Sequence, residues 1–495
     1  MIKHPLNTFF NRIKGVLKNN ILLDKYEKNY VKFNRKFWKK KSLKSKKIIL
    51  IDLFHWYPLI HFWSYLANIL SNKENAEIKY FYFYTLKNKI SNSKFFINKL
   101  DKIYKSFNVE KGITSYDFNF NQTKISEFSK KFDLLKKSKF KINKYKIDNV
   151  KIGDLIYDSY LFQTRNSSLD FEDPRLKEIF IEANKIYYSC KKYFKKNKVE
   201  FLIPSHVCYI PYGIITRIAL KNNSKVYKVK CENWANAFFR LLKVDKNAKL
   251  DEQPYYHYKR VFNKFKINEK KKFLIIGKKI LNKRLSGGYD QNLPYMKINQ
   301  FRKSKNKLSN KYFSKKPKII IFSHCFYDNP HRFRKLYFND FYEQIKYILD
   351  LSLKLNKYEW YYKPHPNELF GNFNIHNFFK KNYSHVNFLD KNTSHRNIIA
   401  LKPELVITNH GTIAHEYASF KIPVVNTGDN PHINYKFCLH PKSKTELNKI
   451  LHKVSFYKRK INYDKNEIYE FLYMHYEYFP NLFNRKNLIK DNFFV

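Results

Sequence analysis

The run Leu405-Val406-Ile407-Thr408-Asn409-His410-Gly411-Thr412-Ile413-Ala414-His415-Glu416-Tyr417 is the most informative stretch of the chain. Its first four residues carry no charge, and three of them are β-branched, so they read as a short buried strand. Asn-His-Gly then leads into helical spacing, the strand–turn–helix join of a parallel α/β sheet. Gly411 is expected to allow close backbone approach. Thr412 is expected to cap the helix, whose N–H groups would face an anion. Glu416 falls about one turn into that helix, within reach of a ribose's hydroxyls. The plainer alternative is that Glu416 complements the helix dipole, worth about 0.3–1 kcal/mol.

The same rhythm recurs on both sides. Upstream, Lys318 to Phe322 reads as a strand ending at Ser323-His324, and Asn339 to Lys357 as a long amphipathic helix. Tyr358 to Tyr362 is a strand closed by Lys363-Pro364-His365-Pro366, where prolines lacking N–H groups end the pairing and fix the loop. Such a loop would hold an imidazole and an ammonium at the sheet's carboxyl edge, suited to phosphate; a structural histidine in a turn is the alternative. Val386 to Leu389 and Pro423 to Asn426 complete the strands, with helices near Ser394 to Leu401 and Thr412 to Phe420. Gly428 follows the last strand.

Earlier in the chain, Lys47 to Phe54, Ile78 to Tyr84, Phe201-Leu202-Ile203 and Lys225 to Val229 read as strands, with helices up to about Leu70 and around Pro174 to Lys196. Lys130 to Lys151 is Lys-rich and weakly patterned, which predicts a surface insertion. Asn292 to Pro317 is polar and predicts a linker. The fold class is therefore α/β, with two consecutive Rossmann-like domains facing a cleft. A catalytic base is expected from the first domain. His55 follows the first strand with Asp52 near it, and an imidazole titrates near neutral pH. His206, Asp154 and Asp158 are further candidates, and a core role for His55 beside Trp56 and Trp63 stays open.

The segments from Lys363-Pro364-His365-Pro366 through Asn409-His410-Gly411-Thr412 and Glu416-Tyr417-Ala418 to Pro423-Val424-Val425 resemble capsule and surface-polysaccharide glycosyltransferases of GT-B architecture. That pattern's relatives include Kdo-transferring capsule enzymes and CDP-glycerol glycerophosphotransferases. Ile152 to Asp158 and Ser323-His324 with Tyr327-Asp328 fit the same group. The resemblance implies that His365, Gly411 and Thr412 bind a donor's phosphates and Glu416 its ribose, with Ser323, His324, Lys363 and Asn409 around them. One departure stands out: relatives often carry Ser-Ser, Thr-Ser or Ser-Gly before this helix, so the likeness does not extend to the nucleotide's identity.

The implied organisation is a basic leader over 1–45, an acceptor domain over 46–291, a linker over 292–317, a donor domain over 318–455 and a helical segment over 456–495 packing back on the acceptor domain. The implied function is sugar transfer from a nucleotide-sugar co-substrate to a surface glycan or its lipid-linked precursor. A polyol-phosphate transferase, a nucleotide-sugar 2-epimerase-like enzyme and a non-catalytic polyanion-binding protein are the alternatives.

Composition bounds these readings. The 495 residues hold 97 Lys+Arg against 41 Asp+Glu, a net charge of +56, and 43% of residues are hydrophobic, which excludes disorder. Lys, Asn, Ile, Phe and Tyr have A/T-rich codons, so nucleotide bias explains part of the charge. A basic surface for phosphate-bearing ligands or an anionic inner-membrane face is the second explanation. No helix-turn-helix, zinc-finger or RRM pattern accompanies it, so nucleic acid is not an expected partner.

Five scattered cysteines without a C-x-x-C point to a reducing cytoplasm. The sequence has no P-loop, dinucleotide fingerprint, nucleophile elbow or H-E-x-x-H, so neither a bound cofactor nor a metal is expected. Leu6, Phe9, Phe10, Ile13, Val16 and Leu17 form a stripe that would lie on a membrane surface or on the protein's own core. Leu53 to Asn72 lacks charge, but His55, Pro58, His61, Ser64 and Asn68 favour a buried helix over a span.

Overall fold

The computed structural model describes residues 22–38, 46–83, 94–138, 140–233, 238–244, 254–288, 299–302, 308, 312, 314–332, 336–367 and 372–479. The stripe expected over the first seventeen residues lies outside them. Two compact units divide the chain: one takes residues up to Thr164 and Leu169–Glu252, the other Arg165–Ser168 and the chain from Gln253 on.

In the first unit the strands are β1 (Lys47–Asp52), β2 (Glu77–Tyr82), β3 (Val109–Thr114), β4 (Lys146–Ile147), β5 (Val150–Lys151), β6 (Lys198–Ile203), β7 (Lys225–Asn233) and β8 (Phe238–Lys243). Six of them form a sheet in the order β3-β2-β1-β6-β7-β8, parallel except for β8 at the edge; β4 and β5 make a separate hairpin. The central strand β1 is buried from Ile48 to Asp52, as its run of Ile and Leu requires. The helix Tyr57–Glu74 starts with Pro58 in its first turn and stops at Asn75, which adopts a left-handed φ of 48°. Among the described residues, no helix is long and apolar enough to cross a membrane.

The second unit holds β9 (Lys318–Phe322), β10 (Glu359–Lys363), β11 (Asn387–Phe388), β12 (Leu405–Thr408) and β13 (Val424–Asn426), all parallel, in the order β11-β10-β9-β12-β13. Its strands bury both faces. Ile319, Ile321, Trp360, Tyr362, Leu405 and Ile407 pack towards the helix Phe341–Lys354, while Ile320, Phe322, Tyr361 and Val406 pack with Tyr417 and Phe471. This alternation is the period of two that a pleated strand imposes.

Numbered from the central strand, the parallel strands of each sheet follow the Rossmann order 3-2-1-4-5. The order reverses between β1 and β6 and again between β9 and β12. A ligand crevice opens beyond the strand ends at such a point.

Four expectations need correction. Residues from Gln253 to 288 belong to the second unit, so the division falls at 252/253 and not at 291. The helix Ile267–Ser286 buries only the thin stripe Gly277, Leu281 and Arg284, too little to betray its partner in the sequence. Gly277 lies on the backbone of the helix Lys465–Tyr473, where a Cβ would sit 2.0 Å from the Tyr469 carbonyl oxygen. That contact, with Phe471, Leu472 and Met474 in the second unit's core, places the C-terminal segment there and not on the first domain.

Residues 299–302 of the expected linker are held too. Gln300 and Phe301 are buried, and the Ser394 hydroxyl and Arg396 guanidinium donate to carbonyls of 300–302. Lys130 to Lys151 is no insertion either: the helix Gln122–Lys137 buries Phe128 and Phe132, and Ile142, Tyr145 and Ile147 join the core. Its lysines occupy the outer faces of elements whose apolar contribution is sparse.

Candidate functional site

The polar residues of the second unit gather where its strands end. Ser323 follows β9, and its N–H donates to the Lys363 carbonyl at 3.1 Å, carrying the β9–β10 pairing one residue further. The Ser323 hydroxyl is buried and has no hydrogen-bond partner. His324 comes next, its ring 5.9 Å from that of His365 and 4.8 Å from that of Phe341.

Lys363 ends β10 almost fully buried, and its ammonium donates to the Lys391 carbonyl at 2.9 Å. It is thus a fixed charge beneath the loop, not the exposed phosphate ligand expected. Between the two prolines, His365 Nδ1 accepts the Asn367 N–H at 3.2 Å. Burial, then the neighbouring His324 and Lys363, push the His365 imidazole down to about 3. The ring is therefore neutral at pH 7, and its one proton sits on Nε2.

Beyond β12, Asn409 is buried and donates through Nδ2 to Gln344 Oε1 at 2.9 Å, while its Oδ1 has no partner. Gln344 lies on the helix Phe341–Lys354 and donates through Nε2 to the Thr427 hydroxyl beyond β13. Thr427 in turn donates to the Thr408 carbonyl at 3.2 Å. One side-chain amide thus ties the ends of β12 and β13 together.

The turn differs from expectation at Thr412. His410, not Gly411, takes the left-handed conformation, with φ of 64°, and its N–H donates to Asn426 Oδ1 at 2.8 Å. Gly411 is needed for space, since a Cβ there would lie 2.7 Å from Thr408 Oγ1. Thr412 makes no side-chain cap, and the helix that follows is only Ile413–Ala418.

Glu416 is fully buried. Its Oε1 accepts from Arg284 Nε at 2.7 Å, and its Oε2 has no hydrogen bond. Burial alone would raise this carboxyl, but Arg284 outweighs it and holds the group below its usual range. Glu416 therefore anchors Arg284 from the first turn of its helix and is not presented to solvent.

Around it sit buried neutral histidines. His395 Nδ1 lies 2.9 Å from the Tyr417 phenol oxygen, and His415 Nδ1 lies 3.0 Å from His432 Nε2. Burial pushes His395 and His415 down to about 3.

In the first unit the structure brings Asp52 to Ser205 and His206, not to His55. Ser205 donates its N–H to Asp52 Oδ1 at 3.1 Å and its hydroxyl to Oδ2, and its Oγ lies 2.9 Å from His206 Nδ1. His55 is exposed and stacks on Phe54 at 5.2 Å, so it is not a core histidine. Asp154 is a buried structural group, gripped by both Arg217 terminal nitrogens at 2.6 and 2.7 Å. Asp158 is buried on the helix Gly153–Thr164. Among the described residues, no three His, Cys, Asp or Glu side chains group as a metal site.

Ser205, Arg284, Gln344 and Thr427 carry these arrangements, and none was singled out by the sequence. Gln344 left a trace: it is a polar residue on the apolar face shared by Phe341, Ile345 and Ile348.

No protein-family model matches the sequence, and no curated protein does. Among solved structures the chain is similar to UDP-GlcNAc 2-epimerase from Neisseria meningitidis bound to UDP-GlcNAc, with a TM-score of 0.27 and 10% identity over 89% of this chain and 100% of that one. It is also similar to KpsC of Thermosulfurimonas dismutans, a beta Kdo 2,4 transferase (TM-score 0.34, 10% identity, 56% and 79% covered). MurG of Acinetobacter baumannii is a third neighbour (0.25, 10%, 89% and 99%). These neighbours are GT-B-type enzymes. At such scores the fold reading rests on the strand orders above.

Proposed function

We propose that the chain is a glycosyltransferase that moves a sugar from a nucleotide-sugar donor to a capsular or other surface polysaccharide, or to its lipid-linked precursor. The supporting observation is the placement, where the second unit's strands end, of the neutral His365 ring with its proton on Nε2, His324 beside it, and the unpartnered Ser323 hydroxyl. Neutral N–H and O–H donors on rigid strand ends suit phosphate oxygens. They gain strength as charge builds on a departing nucleotide. The buried Lys363 charge lies beneath them. We assign Glu416 to anchoring Arg284.

The first unit takes the acceptor in this reading. The net charge of +56 suits an anionic glycan or lipid acceptor at the cytoplasmic face of the membrane.

The test is a thermal-shift panel of CMP, CDP, UDP, GDP and dTDP. One nucleotide should stabilise selectively, by about 2.7 kcal/mol at a hundred times its Kd. His365→Ala and Ser323→Ala should keep the fold and weaken that nucleotide's binding. Unchanged affinity in both variants would remove the donor assignment. Free modified sugar formed without any acceptor would move the reading to an epimerase.

A further inference from the structure

The first unit's strand order reverses between β1 and β6, and Asp52 and Ser205-His206 end those two strands. Asp52 is 2% exposed and Ser205 is buried, whereas His206 is exposed. A serine hydroxyl has one proton, and Ser205 gives it to Asp52 Oδ2. With Asp52 ionised, the 2.9 Å contact between Ser205 Oγ and His206 Nδ1 is then an imidazole N–H donating to oxygen. That fixes the tautomer: Nδ1 holds the ring's proton and Nε2 its lone pair.

We propose that His206 is the general base that activates the acceptor's hydroxyl, with Ser205 and Asp52 as positioning residues that fix its tautomer and receive the displaced proton. This rests on the transferase reading. His206 Nε2 takes the hydroxyl's proton as the acceptor oxygen bonds to the donor's anomeric carbon. The nucleotide leaves with the electron pair of the broken bond. The Nδ1 proton passes to Ser205 Oγ, and the serine's own proton passes to Asp52 Oδ2. The chain ends with a neutral imidazole protonated on Nε2, an intact serine and a protonated Asp52. Loss of the Nε2 proton to water, with the Asp52 proton returning through Ser205 to Nδ1, resets it.

Burial supports the last step, because it pushes Asp52 up to about 7 against the two hydrogen bonds from Ser205. The titratable groups facing Asp52 are His206, Tyr104 from the helix Lys94–Lys105 and Tyr212 from the helix Tyr209–Lys221. Burial drives both phenols well above their ordinary range, so neither competes near neutrality. His55 lacks this support: it makes no hydrogen bond to any described residue.

The test is diethyl pyrocarbonate modification of the full chain, read at His206 by peptide mass spectrometry from about pH 5 to 9. In the wild type the His206 rate should rise with pH and level off once the imidazole is neutral. Ser205→Ala and Asp52→Asn should each lower the alkaline plateau roughly tenfold, the effect of one pKa unit. Ser205→Thr, which keeps the hydroxyl, should restore it.

The modification rate of His452, exposed in the other unit, and an unchanged melting curve report on folding. If Asp52→Asn fails to fold, the two Ser205 variants decide alone. Equal rates and profiles in wild type and Ser205→Ala would overturn the hydrogen-bonded chain, whatever the donor proves to be. A nucleotide panel without a hit would sink the transferase reading and leave the His206 rates as they are. With a donor identified, His206→Ala should lower kcat about 10²–10⁴-fold at unchanged nucleotide affinity; retained kcat would overturn the base assignment.

Discussion

The two sheets share the strand order 3-2-1-4-5 and place polar side chains where it reverses, but the chemistry at the two places differs. The first unit has a carboxylate, a hydroxyl and an imidazole in series, from a buried Asp52 to an exposed His206. The second has a neutral imidazole and an unpartnered serine hydroxyl on rigid strand ends, and its buried carboxylate Glu416 is held by Arg284. One scaffold thus offers a group able to move a proton and, separately, a place able to hold an anion. Topology decides where a ligand sits, and the side chains after each strand decide what happens to it.

Acid should separate the units most strongly. In the first, Asp52 and Glu182 are pushed up by burial to about 7. Their stabilising effect is complete below the ordinary carboxylate range and is lost as pH rises towards 7. In the second, burial pushes His365, His395 and His415 down to about 3 and His440 to about 4. Those rings stabilise fully above their ordinary value near 6.5 and lose that effect as pH falls from there. Asp429 and Glu470 oppose the trend, at about 6 and 7, but the histidines outnumber them. Each group moves stability by about 1.4 kcal/mol per pH unit inside its window. Hydrogen exchange, corrected for intrinsic rates, should show the second unit loosening between pH 7 and 5 while the first tightens. A common response would break the comparison.

Among the described residues, each unit also buries an Arg–carboxylate pair, Arg217–Asp154 and Arg284–Glu416. Removing either arginine leaves a buried charge alone and should cost about 3–5 kcal/mol in denaturant unfolding. Only Arg284→Ala should also weaken nucleotide binding.

Two glycines give a smaller contrast. A Cβ at Gly153 would lie 1.8 Å from the Ile142 carbonyl oxygen, and one at Gly428 would lie 2.5 Å from Asn409 Oδ1. Gly428→Ala should cost about 1–3 kcal/mol, and Gly153→Ala more, since backbone yields less than a side chain.

The smallest effect is expected at Thr412. It makes no cap, and its hydroxyl accepts only a long bond from Arg284 Nη2, at 3.5 Å, so Thr412→Ala should cost less than about 1 kcal/mol in the melting curve. In the first unit Asp173 caps the helix Pro174–Lys196, and Asp173→Ala should cost about 1 kcal/mol or more.

The sequence was most readable where both faces of a strand are buried. The bounds of β9 and β12 follow from uninterrupted apolar runs, and the helix Pro174–Lys196 from its proline and its spacing. It was least readable where partners are far apart. Arg284 meets Glu416 across 132 positions and Gln344 meets Asn409 across 65, distances at which no periodicity speaks. The strand β3 hid because Glu110 and Lys111 face outwards at the sheet's edge. Ser205 stood in view after its strand, yet nothing local distinguishes a serine that bridges Asp52 to His206 from one that merely ends a strand.

The amide of Gln344 has a consequence on an evolutionary scale. Because it donates to Thr427 and accepts from Asn409, a change at any of these three positions strands a buried polar atom at a cost of about 1–3 kcal/mol. A lineage that loses one member falls in fitness until the other two follow, so positions 344, 409 and 427 should be inherited as one character. An alignment of close relatives would show them changing together or not at all, although they are spread over three separate segments of the chain.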